Sequence, residues 1–145
     1  RRQRQMCIRD RVELDGRHDY DGGVGDSIPV GRALAKGYGK VVVVLTRRAG
    51  VYPRVGTKAQ AAYRVFFRHY PQFRDALLSR PDRYRAQVTL LNRLEAQGRA
   101  FLIRPLEPEL PHLEKNPELA ASYYRHGYTR MAALWPELQA FLNGK

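Results

Sequence analysis

The sequence predicts an α/β fold: a partial three-layer sandwich with a mostly parallel sheet and helices on both faces. The run 40–46 is apolar and rich in valine, which is typical of a central strand covered on both sides. A second apolar run, 100–104, is stopped by Pro105. Segments with helical periodicity separate and follow these runs, and strands that alternate with helices favour a parallel sheet.

The first eleven residues differ from the rest of the chain. They hold five arginines and one aspartate, a net charge of +4, whereas all 145 residues carry +12. Met6-Cys7-Ile8-Arg9-Asp10-Arg11 resembles translated sequencing-adapter sequence, in which case the natural chain begins near Val12. The alternative is a basic tail outside the fold. We therefore assign 1–11 to an artefact or tail and 12–145 to the domain.

A hairpin is predicted at the start of the domain. Asp15-Gly16 lies between the strand-like segments 12–14 and 18–20, and Asp-Gly in this position indicates a tight turn. The second strand delivers the chain to Asp21, which opens a stretch with three glycines. Glycine is used where the backbone needs a positive φ or a close approach to another group.

A helix start follows this glycine loop. Asp26 or Ser27 can cap a helix that has Pro29 in its first turn. A strand, a glycine loop and a helix start in this order mark the place where open α/β sheets carry out their chemistry. Asp21 is therefore the first candidate for a functional residue.

Helical patterns account for most of the remaining chain. Thr57 is expected to cap one helix, Pro117 to open the last one, and Pro136 to break or kink that last helix. An aromatic stripe within 57–70 favours a core-facing helix, and a lipid-facing surface is the alternative. The predicted helical segments are 29–36, 57–70, 71–79, 81–97 and 117–142.

The positive charge is consistent with a polyanionic partner, either nucleic acid or an anionic membrane. Lysines and arginines are spread among acidic residues in several helices, which favours a solvated basic surface, and no specific nucleic-acid partner is expected. No apolar run approaches the length of about 20 residues that spans a bilayer, and the arginine-rich N-terminus contains no secretory signal. We therefore expect a cytoplasmic protein, with peripheral membrane contact as an open alternative.

Metal and cofactor chemistry is not indicated. One cysteine cannot build a multi-cysteine metal site, and the four histidines are widely separated in the sequence. His18 lies three residues before Asp21 in the sequence, which allows a His–Asp pair. Scattered histidines are more often ordinary surface or core residues.

Beyond these patterns, the sequence resembles the C-terminal half of bacterial patatin-like phospholipases. The resemblance rests on Asp21-Gly22-Gly23-x-x-Asp26-Ser27-Ile28-Pro29-Val30, on the segment from Ala33 to Arg47 with its valine strand, and on Gly98 to Pro105. It continues through the helix 113–128 and covers the chain from Val12 to about Phe141. The three-residue Asp-Gly-Gly motif is weak alone, and the ordered combination is specific.

The resemblance implies a serine hydrolase that cleaves acyl esters of lipids with a Ser–Asp dyad and no cofactor. By position, Asp21 is the dyad aspartate, which takes the proton of the serine, and Gly22 and Gly23 complete its motif. The family's Gly-x-Ser-x-Gly nucleophile turn and its glycine-rich oxyanion loop are both missing from this sequence. This chain alone is therefore expected to be inactive. The competing hypothesis is a non-catalytic basic module that binds nucleic acid or an anionic membrane.

Overall fold

A computed structural model describes residues 12–14, 17–19, 21–111 and 114–144. The described elements, in chain order, are strands β1 (Val12–Leu14) and β2 (Arg17–Asp19), helices α1 (Gly22–Gly25) and α2 (Val30–Ala35), strand β3 (Val41–Val44), helices α3 (Thr57–Phe66) and α4 (Pro71–Ala96), strand β4 (Ala100–Ile103) and helix α5 (Pro117–Leu142). The protein is thus a mixed α/β chain, as its patterns predict.

The chain divides into two compact units. The first comprises Arg1–Pro29 and Pro53–Gln87, and the second comprises Val30–Tyr52 and Val88–Lys145. Buried apolar side chains of the first unit are Val24, Ile28, Leu77 and Tyr84. Those of the second are Val30, Leu45, Val88, Leu91, Leu94, Ala100, Leu102, Leu134 and Leu138.

The predicted hairpin is confirmed in the first unit. Strands β1 and β2 pair antiparallel, with Val12 opposite Asp19 and Leu14 opposite Arg17. The turn residues Asp15 and Gly16, like the tail 1–11 and Cys7, lie outside the described residues. The hairpin delivers the chain to Asp21 in the order that the sequence predicts.

The two predicted buried strands form a parallel pair in the second unit. Val41 lies opposite Ala100 and Val44 opposite Ile103. Among the described residues β3 pairs with β4 alone, and its alternate residues are exposed, Val44 to 72%. The prediction that 40–46 is covered on both sides is therefore wrong for this part of the chain.

One end of helix α5 packs beside this parallel pair. The ring of Phe141 lies 5.6 Å from that of Phe101, measured between centroids. The Nζ of Lys40 donates a 3.1 Å hydrogen bond to the Phe141 carbonyl and lies 5.1 Å from the centre of its ring. The predicted start of this helix is confirmed, because Pro117 is its first residue and Asn116 accepts hydrogen bonds from the next two backbone N–H groups.

The prolines do not divide the helices as predicted. Segments 71–79 and 81–97 form one helix, α4, although Pro81 lacks a backbone donor. Two side chains supply donors in the turn before it: Ser79 Oγ bonds the Asp75 carbonyl at 2.5 Å, and Arg83 Nη2 bonds the Ala76 carbonyl at 2.6 Å.

Helix α5 is likewise not divided by its internal proline. It continues past Pro136, and the buried side chains of Leu134 and Leu138 lie on either side of that proline. Burial of apolar side chains outweighs the loss of one backbone hydrogen bond. Of the two predicted outcomes at Pro136, the break is wrong, and the kink stays a prediction.

Helix α3 differs most from its prediction. None of its residues is buried, and Phe66 is 73% exposed, so the expectation that its aromatic stripe is core is wrong. Its N-cap is Gly56, which has no side-chain hydrogen bond, and Thr57 is the first helical residue rather than the cap.

No helix among the described residues is long and apolar enough to cross a membrane.

We expect Leu91→Ala to lower the free energy of unfolding by about 3 kcal/mol, because Leu91 is fully buried and its truncation leaves a cavity. The control is Leu142→Ala, since the same truncation at a 60% exposed site removes little packing. Urea titration of both variants measures the difference. Equal losses for the two would contradict the assignment of Leu91 to the core.

Candidate active site

Asp21 is the N-cap of the one-turn helix α1. Its Oδ1 accepts the backbone N–H of Gly23 at 2.8 Å, and its carbonyl accepts the N–H of Val24 at 3.0 Å. A short polar side chain at this position satisfies a backbone donor that has no helical partner. The glycine stretch is therefore a helical turn and not the tight loop that the sequence predicts.

The geometry leaves the Asp21 carboxylate oriented and accessible. The residue is exposed, one carboxylate oxygen is held by the Gly23 N–H, and no described residue hydrogen-bonds the other. No basic side chain of the described residues forms an ion pair with it. Such a carboxylate can orient a nearby hydroxyl and accept its proton.

The two motif glycines have different surroundings. A Cβ on Gly23 would lie 3.3 Å from the Asp21 Oδ1, which is tighter than an ordinary contact. A Cβ on Gly22 would meet no atom within 4 Å. Neither glycine has a positive φ, so the φ requirement that the sequence suggests is wrong here. The close approach of the Asp21 carboxylate explains why a glycine stands at position 23. Packing among the described residues does not require a glycine at position 22.

The far end of α1 is fixed by three donors. The Gly22 carbonyl accepts the Asp26 N–H at 2.9 Å, and the Gly23 carbonyl accepts the hydroxyl of Ser27 at 2.8 Å. The third donor is Arg83 Nη2, which bonds the Val24 carbonyl at 2.6 Å. The last carbonyls of a helix lack internal partners, so these bonds stabilise an element too short to be stable alone.

Gln87 holds the segment after α1. Its Nε2 donates to Asp26 Oδ1, and its Oε1 accepts the N–H of Ile28 at 3.2 Å. Arg80 adds a longer bond of 3.4 Å from Nε to the hydroxyl of Ser27. Asp26 and Ser27 are therefore loop residues bound to α4, and neither caps α2, which begins at Val30.

Arg80, Arg83 and Gln87 are the residues that sequence reasoning missed. Their spacing of three and four places them on one face of α4, next to the buried Leu77 and Tyr84. Polar residues at core-facing positions of a helix are the signal that could have found them, because such side chains need partners when they are half-buried.

The serines of the chain do not complete a dyad. Ser27 Oγ donates to the Gly23 carbonyl, and Ser79 Oγ donates to the Asp75 carbonyl while accepting Arg83 Nη1 at 2.8 Å. Ser122 is exposed on α5. No described serine hydrogen-bonds Asp21, in agreement with the absence of a Gly-x-Ser-x-Gly turn.

The two histidines whose side chains the structure describes do not contact Asp21 either. His69 accepts the Nε of Arg68 at 2.9 Å, and His126 Nε2 accepts the Leu106 N–H at 3.1 Å. The side chain of His18 and the whole of His112 lie outside the described residues, so the His18–Asp21 pair stays a prediction.

The second unit contains an apolar cavity of about 360 Å³. It lies where strands β3 and β4 end, beside helix α5. Its apolar walls include Val44, Leu45, Ile103, Pro105 and Met131. The carboxyl ends of parallel strands are the usual place for ligand contact in open α/β sheets.

Comparison with protein families gives one match. The model described as "Domain of unknown function (DUF6363)" matches residues 70–143. The chain belongs to this family. The DUF6363 segment contains α4, β4 and α5, and with them Arg80, Arg83 and Gln87, whereas Asp21 and β3 precede it. No curated protein and no solved structure matches the chain.

We expect Arg83→Met to lower the free energy of unfolding by about 2 kcal/mol and to speed amide exchange at residues 23–28. The substitution keeps the aliphatic stem but leaves the carbonyls of Val24 and Ala76 without their charged donor. Arg93→Met on the exposed side of the same helix is the control and should change both quantities little. Unchanged exchange near Asp21 would show that Arg83 does not hold this turn.

Proposed function

We propose that this chain is the C-terminal part of a patatin-like lipid acyl hydrolase, in which Asp21 is the base of a Ser–Asp dyad. The observation that carries the proposal is the geometry of Asp21. Its carboxylate is exposed, is oriented by the Gly23 N–H at 2.8 Å, and stands at the start of a turn that α4 holds in place. The extended sequence resemblance around Asp21 supplies the reaction class.

In this proposal the second oxygen of Asp21 accepts the proton of a serine hydroxyl. The serine Oγ attacks the ester carbonyl carbon, and the carbon–oxygen bond to the alcohol breaks as the proton passes to the leaving oxygen. Water then repeats the sequence on the acyl-enzyme, with Asp21 as base, and releases a carboxylic acid. Every proton moves between oxygen atoms and no oxidation state changes, and the proposed steps use no metal ion or cofactor.

The proposal assigns two parts of the machinery to sequence outside this chain. A nucleophilic serine has to lie within hydrogen-bond reach of Asp21, and backbone donors have to face the developing oxyanion. Ser27 and Ser79 are engaged elsewhere, and the α1 glycines belong to the aspartate motif. The isolated chain is therefore inactive in this proposal, and the activity belongs to the complete protein.

The three-layer sandwich is part of the same proposal. A sheet of two parallel strands is smaller than stable sheets normally are, and parallel sheets are normally covered on both faces. The exposed alternate valines of β3, Val42 and Val44, suit a strand that is flanked and covered in the complete enzyme. Because its substrates are lipids, we propose that such an enzyme is cytoplasmic and contacts the membrane surface peripherally.

In the protein expressed from its full reading frame, Asp21→Asn should lower ester hydrolysis by about 10²–10⁴-fold, because the amide cannot take the serine proton. Asn can still accept the Gly23 N–H, so the free energy of unfolding should stay close to that of the unaltered protein. Hydrolysis of a chromogenic acyl ester and urea unfolding measure the two effects.

The matched control for this test is Asp26→Asn, which makes the same chemical change five residues further on. Asp26 accepts the side-chain amide of Gln87, and an Asn oxygen can accept that bond as well. Its activity should remain within a few fold of the unaltered protein. Full activity in Asp21→Asn, or equal loss in both variants, would rule out Asp21 as the dyad base.

Gly22→Ala tests whether the motif glycine serves the site or the fold. No atom lies within 4 Å of the added methyl group and the backbone is helical, so the stability of the fold should not fall. We expect the full-length variant to lose at least tenfold in ester hydrolysis, because in this proposal a methyl group at Gly22 obstructs the approach of serine and substrate.

The control is Gly25→Ala in the same helical turn, where a Cβ also meets open space. It should match Gly22→Ala in unfolding free energy and keep its activity. If the two variants have equal activity, Gly22 does not line a site for the nucleophile.

A further inference from the structure

Helix α3 presents an exposed surface of unusual composition. Its apolar side chains are large, with Val65 64% and Phe66 73% exposed, and Tyr70 lies exposed just after the helix. Three exposed basic side chains accompany them. We call this set of residues the α3 surface: Lys58, Arg64, Val65, Phe66, Arg68 and Tyr70.

Val65 and Phe66 are exposed although the helix packs against the rest of its unit. On the opposite side, the ring of Phe67 meets Phe73 edge-on at 5.0 Å, and Tyr63 lies 6.2 Å from Phe67. Both Tyr63 and Phe67 are half-buried. One side of the helix thus packs against the start of α4. The aliphatic side chain of Val65 and the aromatic side chain of Phe66 remain exposed to solvent.

The stretch of sequence that contains this helix carries charge of one sign only. Residues 27–74 contain ten lysines and arginines and no aspartate or glutamate. The first carboxylate after the helix, Asp75, is paired with Arg74 at 2.9 Å. The expectation that basic residues are spread among acidic ones in the helices therefore fails for α3.

Among the described residues, the cations of the α3 surface have no carboxylate partners. Arg47, Arg74, Arg85 and Arg104 form ion pairs, and none of the ion pairs between described residues includes Lys58, Arg64 or Arg68. Arg68 donates instead to the imidazole of His69 at 2.9 Å. Burial of three such cations in a protein interior would leave uncompensated charges, which is strongly unfavourable. The surface suits a partner that carries negative charge and remains hydrated.

Two partner classes meet that requirement, and the apolar residues distinguish them. Single-stranded nucleic acid binds on aromatic rings, and a valine offers no face on which a base can stack. A bilayer accepts aliphatic and aromatic side chains alike below its headgroups, while basic side chains remain at the phosphate level. Val65 beside Phe66, flanked by Arg64 and Arg68, matches the bilayer.

We propose that the α3 surface binds the surface of an anionic lipid bilayer, with Val65 and Phe66 inserted below the headgroups and Lys58, Arg64 and Arg68 at the lipid phosphates. The proposal does not depend on the role of Asp21. It names the segment through which the chain reaches a membrane, whether or not the complete protein hydrolyses esters.

The test is sedimentation of the full chain with vesicles of ether-linked lipids, which contain no ester to cleave. Vesicles of phosphatidylcholine are compared with vesicles of phosphatidylcholine and phosphatidylglycerol. Binding should require phosphatidylglycerol and weaken with salt. Each of Lys58→Gln, Arg64→Gln and Arg68→Gln should reduce the partition coefficient about fivefold. Val65→Ser combined with Phe66→Ser should lower it by at least tenfold at high salt.

Matched variants separate the α3 surface from general charge and hydrophobicity. Arg93→Gln and Arg125→Gln remove exposed arginines of α4 and α5, and Tyr124→Ser with Leu142→Ser removes exposed apolar groups of α5. A further variant, with Arg1, Arg2 and Arg4 changed to Gln, removes charge from the tail. These controls should keep most of the binding. Circular dichroism confirms that each variant is folded.

Three results would overturn the proposal. The first is equal binding to both kinds of vesicle, and the second is unchanged binding by the α3 variants. The third is a pattern in which the tail variant or the α5 variants lose vesicle binding while the α3 variants keep it. An oligonucleotide that binds with the same dependence on Arg64 and Arg68, while vesicles fail to bind, would assign the surface to nucleic acid instead.

Discussion

The charged hydrogen bonds of Arg83 are the interaction on which the Asp21 region depends. One nitrogen of its guanidinium reaches both the Val24 carbonyl at the end of α1 and the Ala76 carbonyl of its own helix. The first bond fixes a helical turn of four residues, three of them glycines, which has little stability of its own. The second supplies a donor within the turn that precedes Pro81. The orientation of the Asp21 carboxylate thus follows from a side chain sixty-two positions later in the sequence.

This arrangement explains how far the sequence could predict the site. Local signals were sufficient for the hairpin and for the parallel strands β3 and β4. These signals placed the helix start at Asp26 or Ser27, whereas Asp21 itself caps a helical turn. They failed where a contact between distant residues decides the structure. Pro81 predicts a break if only the backbone is considered, and Arg83 looks like one of many surface arginines until its distant carbonyl partner is known.

Helix α3 failed as a prediction for a related reason. The periodicity of its apolar residues is that of a core helix, but periodicity does not say how much partner surface is available. Phe67 packs against Phe73 and Tyr63 lies beside Phe67, whereas Phe66 remains 73% exposed. Strand β3 shows the same limit, since its valines satisfy every pattern of a central strand while β4 alone pairs with it among the described residues. The apolar composition of a segment predicts that it tends to be buried. Whether it is buried depends on packing partners from other parts of the protein.

The edge of β3 that no described strand covers has a consequence for the handling of this chain in solution. A valine-rich strand with unpaired backbone groups is a template for pairing with another molecule, and natural proteins normally shield such edges. The net charge of +12 opposes this association, because molecules of like charge repel one another. Salt screens that repulsion and leaves the attraction between apolar edges in place. The chain should therefore stay dispersed in dilute buffer and associate as the ionic strength rises, the reverse of a protein held together by ion pairs.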